Sequence, residues 1–177
     1  EERIGRKLDI VSGGASSSYM RVLDGNIPEG INNLRMGEEI LLPQDLLYLY
    51  GYPLNGMYDD VFTLESQVIE VRDKPSYSVG ELGVDAFGHK PVYIDKGIRR
   101  KVLLAMGHLD YCDYKDLIPQ DKDVEILGCS SDHTIMDVTD APRTYHVGDI
   151  VKFNLIYGTN LFLCHSQNVQ KVFIGEE

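Results

Sequence analysis

The chain has 177 residues, 43% of them hydrophobic, enough to bury one core or one core plus part of another. Its 17 basic and 28 acidic side chains leave a net charge of -11, which excludes a protein held to nucleic acid by electrostatics, since that requires a basic surface. No apolar run approaches the roughly 20 residues of a membrane-crossing helix, and three cysteines without CxxC spacing (Cys112, Cys129, Cys164) argue against a disulfide framework or a structural zinc site.

Residues 7–11 read as a short buried strand that stops at Ser12-Gly13-Gly14-Ala15-Ser16-Ser17-Ser18, a loop of small residues and hydroxyls. The apolar spacing of Tyr19, Met20, Val22 and Leu23 predicts a helix, with a serine to cap it and Asp24-Gly25-Asn26 to end it. After the Pro28-Glu29-Gly30 turn, residues 30–42 predict a short strand, a turn at Arg35-Met36-Gly37 and a second helix. Strand, loop, helix, strand, loop, helix is a βαβ pattern, and parallel strands of this kind belong to a larger α/β sheet or barrel. Two strands cannot close a barrel. The first 43 residues are therefore expected to be the end of an α/β barrel, and the start at Glu1 without a methionine predicts a segment of something longer.

Residues 43–60 mix tyrosines, leucines, glycines and a proline without a period and read as a connector. Beyond them the chain is strand-like. Residues 62–71, 91–94, 101–106, 124–127, 134–138, 150–155 and 169–174 are β-prone runs, and Asp73-Lys74-Pro75-Ser76 and Gly148-Asp149 read as turns between them. Seven short strands with no long helix predict a compact antiparallel barrel or sandwich over residues 44–177, making the chain mainly β.

Two strand-end loops carry the first candidate site. Ser12, Gly13 and Gly14 would let backbone approach an anion closely while hydroxyls add donors, unless they form only a flexible loop whose Ser16 or Ser17 caps the next helix. Arg35 is followed by Gly37 and by the first turn of a helix, so free N–H groups would face an anion beside a guanidinium. Parallel strands put both loops on one face, which is where α/β barrels build phosphate sites.

These motifs, with Asn33-Leu34-Arg35-Met36-Gly37-Glu38, Asp85-Ala86-Phe87-Gly88, Leu127-Gly128-Cys129-Ser130-Ser131-Asp132-His133 and Met136-Asp137-Val138 in order, resemble the C-terminal part of the pyridoxal-phosphate amino-acid racemases of the alanine racemase-like fold, in its ornithine racemase branch. The resemblance covers almost the whole chain. It implies that Ser12, Gly13, Gly14, Gly37 and Glu38 contact the phosphate of pyridoxal 5'-phosphate and that Arg35 faces the pyridine nitrogen. A permanent cation there keeps the nitrogen unprotonated and the ring a weaker electron sink, which favours proton removal and return. Decarboxylases of the same fold resemble one another in placing a carboxylate at that position. A decarboxylase, or a non-catalytic cofactor-binding and dimerisation module, is the alternative.

The resemblance further implies that His108 stands where alanine racemases carry the tyrosine of a Gly-Tyr dipeptide, the second acid/base, a role imidazole can fill near neutral pH. Tyr111 lies further along but could occupy similar space. Ser130, Ser131 and Asp132 match a loop that meets the substrate carboxylate, with Asp132 able to hold an ammonium, unless they simply form a hydrogen-bonded turn. Cys129 is expected to be a small buried residue, and no metal site is expected. No lysine here matches the one that carries the cofactor as a Schiff base, so the chain is expected to act only within a longer protein. The family's head-to-tail dimer implies a homodimer with shared active sites. A free amino acid is the expected small-molecule substrate, with the acidic composition suiting a cationic one such as ornithine. A cytoplasmic location is expected.

Overall fold

A computed structural model describes residues 4–77, 79–81, 83, 84, 88, 90, 92 and 94–175 of the chain. Residues 85–87 of the Asp85-Ala86-Phe87-Gly88 motif, and part of the strand expected over 91–94, lie outside the described residues. Two compact units emerge, the first comprising residues 1–63 with 155–157 and the second 64–154 with 158–177.

In the first unit, β1 (Ser12–Ala15) and β2 (Asn33–Arg35) are parallel, with Ser12 opposite Asn33 and Ala15 opposite Arg35. Between them come a 3-10 turn over Ser16–Ser18 and helix α1 (Tyr19–Leu23), a βαβ unit as expected. The first strand, however, is displaced from residues 7–11 to the small-residue tract. Asn32 explains the shift: its side chain accepts from Val11 N–H at 2.8 Å and donates to the Asp9 carbonyl at 2.8 Å, so a side chain occupies backbone groups that a ladder would use. Ile10 is 69% exposed, so no apolar face holds that stretch to a sheet. Helix α2 (Glu38–Leu41) follows β2, and α3 (Gln44–Tyr48) replaces the expected connector. Leu42 and Leu46 are buried, and these two apolar anchors are what the run's irregular spacing concealed.

The second unit is built on a curled six-stranded sheet with spatial order β5-β8-β3-β4-β7-β6, a half-barrel. Its strands are β3 (Thr63–Pro75), β4 (Ile98–Leu104), β5 (Ile118–Pro119), β6 (Glu125–Cys129), β7 (Thr134–Asp137) and β8 (Ile150–Asn154). β4 runs antiparallel to β3 and β7, β6 to β7, and β5 to β8. Period-two alternation buries Val68, Val102, Leu104, Met136, Val151 and Phe153, each at 1% exposure or less, while Ile69, Ile135 and Ile150 face outward. Each such burial contributes roughly 1.5–3 kcal/mol before entropy is counted.

Three expectations fail here. Asp73-Lys74-Pro75 is not a turn but the end of β3, paired with Arg100, Arg99 and Ile98. Residues 169–174 form no strand, since Val172, Phe173 and Ile174 are 72%, 95% and 99% exposed and no neighbouring strand receives them. A nine-residue helix α5 (Tyr157–His165) was not foreseen, because only Thr159 and Leu163 of it are buried and the apolar stripe is too thin to read. A four-residue helix, α4 (His108–Tyr111), ends the β4 connection.

Arg99 locks the sheet beside the β4–β7 pair. Its Nε donates to Asp137 Oδ2 at 2.7 Å and its far nitrogen to Asp140. Asp137 also accepts the Thr139 hydroxyl at 2.7 Å and the Thr139 N–H at 3.0 Å, so a nearly buried carboxylate has a full set of donors.

Candidate functional site

The first unit brings the two strand-end loops together. Ser16 is buried, and its hydroxyl oxygen accepts from the N–H groups of Gly37 and Glu39, both at 3.4 Å. These are long, weak bonds. Ser16 thus reaches across to the start of α2 and does not cap the helix that follows it, α1, which has no side-chain cap. The small-residue tract is a strand, and its glycines answer to packing. A Cβ on Gly13 would lie 2.1 Å from Ile31 Cδ1, and one on Gly14 would lie 2.2 Å from Ser18 Oγ. Gly37 differs, with nothing within 4 Å of its virtual Cβ. Ser12, Gly13, Arg35 and Gly37 are exposed, and the Arg35 side chain makes no hydrogen bond or ion pair among the described residues. The side chain of Glu38 turns to Asp45. Burial first, then that hydrogen bond and the charges of Asp45 and Glu39, push its carboxyl up to about 7.

The second unit brings His108 to the Ser130 loop. Antiparallel register sets Leu104 opposite Thr134, so the continuation of β4 runs beside the β6–β7 hairpin turn. His108 N–H donates to the Ser130 carbonyl at 2.9 Å and Leu109 N–H to the Ser131 carbonyl at 3.1 Å. Gly107 makes this approach feasible: its virtual Cβ would lie 2.3 Å from Ser131 O and 2.4 Å from Asp132 N. Its φ of -148° and ψ of -167° are ordinary extended backbone, so glycine is needed for space alone.

Within the loop, Ser130 N–H donates to the His133 carbonyl at 2.8 Å, and Ser130 Oγ accepts from His133 N–H at 3.1 Å and Asp132 N–H at 3.4 Å. The turn is therefore held by Ser130 and not by Asp132, whose carboxylate accepts the Ser131 hydroxyl. Among the described residues, Ser131 N–H is the loop amide with no partner, and Ser130, Ser131 and Asp132 are all exposed. His108 is half-buried.

One residue that sequence reasoning missed holds this arrangement. Asp110, 6% exposed, accepts Gly107 N–H at 3.0 Å and the Ser166 hydroxyl at 2.9 Å, which ties the turn before His108 to the end of α5. An acidic residue three places after a glycine was the one available signal, that of a helix N-terminus. Tyr111 does not occupy acid/base space. It is 1% exposed, and its hydroxyl lies 2.6 Å from Thr134 Oγ1. Thr134 gives its own proton to the Met106 carbonyl at 2.8 Å, so Tyr111 is the donor. Burial first, and Cys129 beside it, raise the phenol well above its ordinary range. Cys129 is half-buried, not fully buried.

No family model matches the chain. It is 49% identical over 165 residues to an ornithine racemase of Acetoanaerobium sticklandii, covering 93% of this chain and 46% of that protein. Identity to a lysine racemase of Thermotoga maritima is 40% over 173 residues, covering 98% and 48%. The chain therefore spans about half the length of the curated relatives it matches. The structure of a biosynthetic alanine racemase from Pseudomonas aeruginosa superposes with a TM-score of 0.55 at 18% identity, covering 95% of this chain and 48% of that one. A D-threonine aldolase from Filomicrobium marinum gives 0.52 at 14%, covering 90% and 35%. Likeness at that identity speaks for the fold and not for the reaction. Along nearly its whole length the chain is thus similar to about half of an ornithine racemase and of a lysine racemase, and it shares the fold of the corresponding part of the alanine racemases.

Proposed function

We propose that this chain is the C-terminal portion of a pyridoxal-phosphate-dependent amino-acid racemase that interconverts the enantiomers of a cationic amino acid, ornithine or lysine. The identity to ornithine and lysine racemases carries this reading. The coexistence of open space beside Gly37, an Arg35 side chain without a partner and a Ser16 hydroxyl held to the Gly37 and Glu39 amides only by long bonds supports a phosphate and ring site in the first unit. The protein works in the cytoplasm as a homodimer, and the barrel whose end is residues 1–43 supplies the lysine that carries the cofactor. Residues 44–177 form the β domain.

In this reading Ser12, Gly13, Gly14 and the backbone of Gly37 and Glu38 hold the phosphate, and Arg35 faces the ring nitrogen. When bound, the cofactor supplies an electron-withdrawing ring that acidifies the substrate's α-hydrogen. Glu38 contributes through its N–H, because its carboxyl is turned to Asp45. The Arg35 guanidinium, a donor with no acceptor, would stand beside the ring nitrogen as a cation and disfavour its protonation. His108 receives or returns a proton at its ring nitrogen on one face of that carbon. The Ser131 amide, left open by the turn, donates to the substrate carboxylate, the Ser130 hydroxyl holds the turn, and Asp132 faces a substrate ammonium. His108 and this loop serve the partner subunit's cofactor.

The test uses the complete protein with pyridoxal phosphate and single enantiomers of ornithine and lysine. Loss of optical rotation with uptake of deuterium at the α-position is expected. Retained rotation for both amino acids, or release of carbon dioxide, overturns the reading. His108→Ala is expected to slow racemisation at least ~100-fold, with recovery by added imidazole.

A further inference from the structure

His108 opens α4, a helix of four residues, too short to hold itself together. Its place therefore depends on what its backbone is tied to. The amides of residues 107–110 are all bonded. His108 N–H and Leu109 N–H go to the Ser130 and Ser131 carbonyls, and Asp110 N–H goes to the Gly107 carbonyl at 2.9 Å. Gly107 N–H goes to Asp110 Oδ2 at 3.0 Å. At the far end Cys112 takes φ 74° and ψ -72°, with its N–H on the His108 carbonyl at 3.0 Å and Asp113 N–H on the Tyr111 carbonyl at 3.1 Å. That three-residue turn is the strained form, which persists only where neighbouring contacts enforce it.

Two sides fix the backbone of His108. The Ser130 loop supplies one and the Asp110 carboxylate the other. Asp110 is 6% exposed, and its Oδ1 accepts the Ser166 hydroxyl at 2.9 Å. Ser166 is itself held at the end of α5, where its N–H donates to the Phe162 carbonyl at 2.9 Å and its Oγ accepts Asn168 N–H at 3.2 Å. No ion pair among the described residues includes Asp110, so the donors its carboxylate meets there are neutral. Gly107 in turn presses on Ser131 O and Asp132 N without room for a methyl group, so any shift of Gly107 is passed to that loop as well.

We propose that Asp110 is a positioning residue for racemisation: its carboxylate, braced by Ser166, holds Gly107 N–H and so sets where the His108 ring meets the substrate's α-carbon. The proposal rests on the reading of His108 as an acid/base. Proton transfer is sensitive to placement, and a displacement of about 1 Å costs on the order of 100-fold. What the site requires of residue 110 is an acceptor for Gly107 and a partner for Ser166, not a negative charge. Asparagine meets both demands, because its oxygen accepts Gly107 N–H while its NH2 donates to Ser166 Oγ, whose own hydrogen can rotate away.

The test compares the complete protein with its Asp110→Ala, Asp110→Asn and His108→Ala variants, at rates taken per bound pyridoxal phosphate. The substrates are α-deuterated L- and D-ornithine or lysine, whichever the wild type racemises. Asp110→Ala is expected to lower kcat about 10- to 100-fold with KM within about 3-fold. It should also raise the deuterium isotope effect for one enantiomer only, the same one whose isotope effect rises in His108→Ala. Asp110→Asn should return kcat to within about 3-fold of wild type. An Asp110→Ala protein at the wild-type rate, or one slowed with both isotope effects unmoved, overturns the proposal. So does an Asp110→Asn protein as slow as Asp110→Ala. A wild type that racemises neither amino acid, or His108→Ala at the wild-type rate, instead removes the underlying reading and the proposal with it. If Asp110→Ala does not accumulate as folded protein, Ser166→Ala removes the brace alone and is read by the same isotope effects, which overturn the proposal if they stay at the wild-type values.

Discussion

Replacing Gly107 with alanine tests the geometry that joins His108 to the Ser130 loop. The added methyl would sit 2.3 Å from Ser131 O and 2.4 Å from both Ser131 C and Asp132 N, and all three are backbone atoms that cannot rotate away. Ordinary contact needs about 3.5 Å, so the loop must retreat by roughly 1 Å. That retreat stretches the bonds from His108 N–H and Leu109 N–H, now 2.9 and 3.1 Å, beyond useful length. Losing two such bonds costs about 1–3 kcal/mol and overpacking adds about 1–3 kcal/mol, so Gly107→Ala is expected to destabilise by about 2–6 kcal/mol. Backbone strain adds nothing, because φ is -148°. Urea unfolding with linear extrapolation measures the difference. Gly158→Ala serves as the control: its virtual Cβ meets nothing within 4 Å and it lies in α5, so it should be neutral or stabilise by up to about 1 kcal/mol. A Gly107→Ala protein within about 0.5 kcal/mol of wild type would refute the reasoning, since the loop would then yield without losing its bonds.

Tyr111→Phe removes the proton donated to Thr134 and leaves a buried hydroxyl oxygen with an unfilled acceptor site, which should destabilise by about 1–2 kcal/mol in urea. Racemisation by the complete protein should stay within a few-fold, because this phenol serves packing and not proton transfer; a loss as large as that of His108→Ala would contradict the assignment. Asp137→Asn should destabilise by about 3 kcal/mol at neutral pH, as it leaves Arg99 short of a charged partner in a site where Asp137 is 4% exposed. Burial alone would push the Asp137 carboxyl up, but the hydrogen bonds from Arg99 and Thr139 and the Arg99 charge outweigh it and hold it below the ordinary 3.8. A depressed native value means this stabilisation is present above the unfolded-state value and is lost as pH falls through the native one. The gap between wild type and Asp137→Asn in acid titrations should accordingly narrow below about pH 4, and a gap that widened there would reverse the sign of the argument.

Some of this protein was decided locally. The βαβ order of residues 12–35, the strand starting near residue 63, the pairs of apolar residues that alternate along β4, β7 and β8, and the Gly148 turn at φ +98° follow from periodicity and from glycine's backbone freedom, which act over a few residues. The motif order that pointed to the racemases is likewise a property of the sequence. Tertiary structure decided the rest. Asn32 moved the first strand from residues 7–11 to the serine-glycine tract by a bond across 21 positions, and Ser16 was drawn to α2 instead of the helix beside it. Only antiparallel register could show that Gly107 and Ser131 share one space, or that Ser166 reaches Asp110 across 56 residues. Sequence spacing carries no information about such contacts, because the chain's path between them is set by the whole sheet. For the same reason Glu39 and Asp45 read as ordinary acidic letters: burial, which leaves one oxygen of each without a partner, exists only once the corner between α2 and α3 is folded.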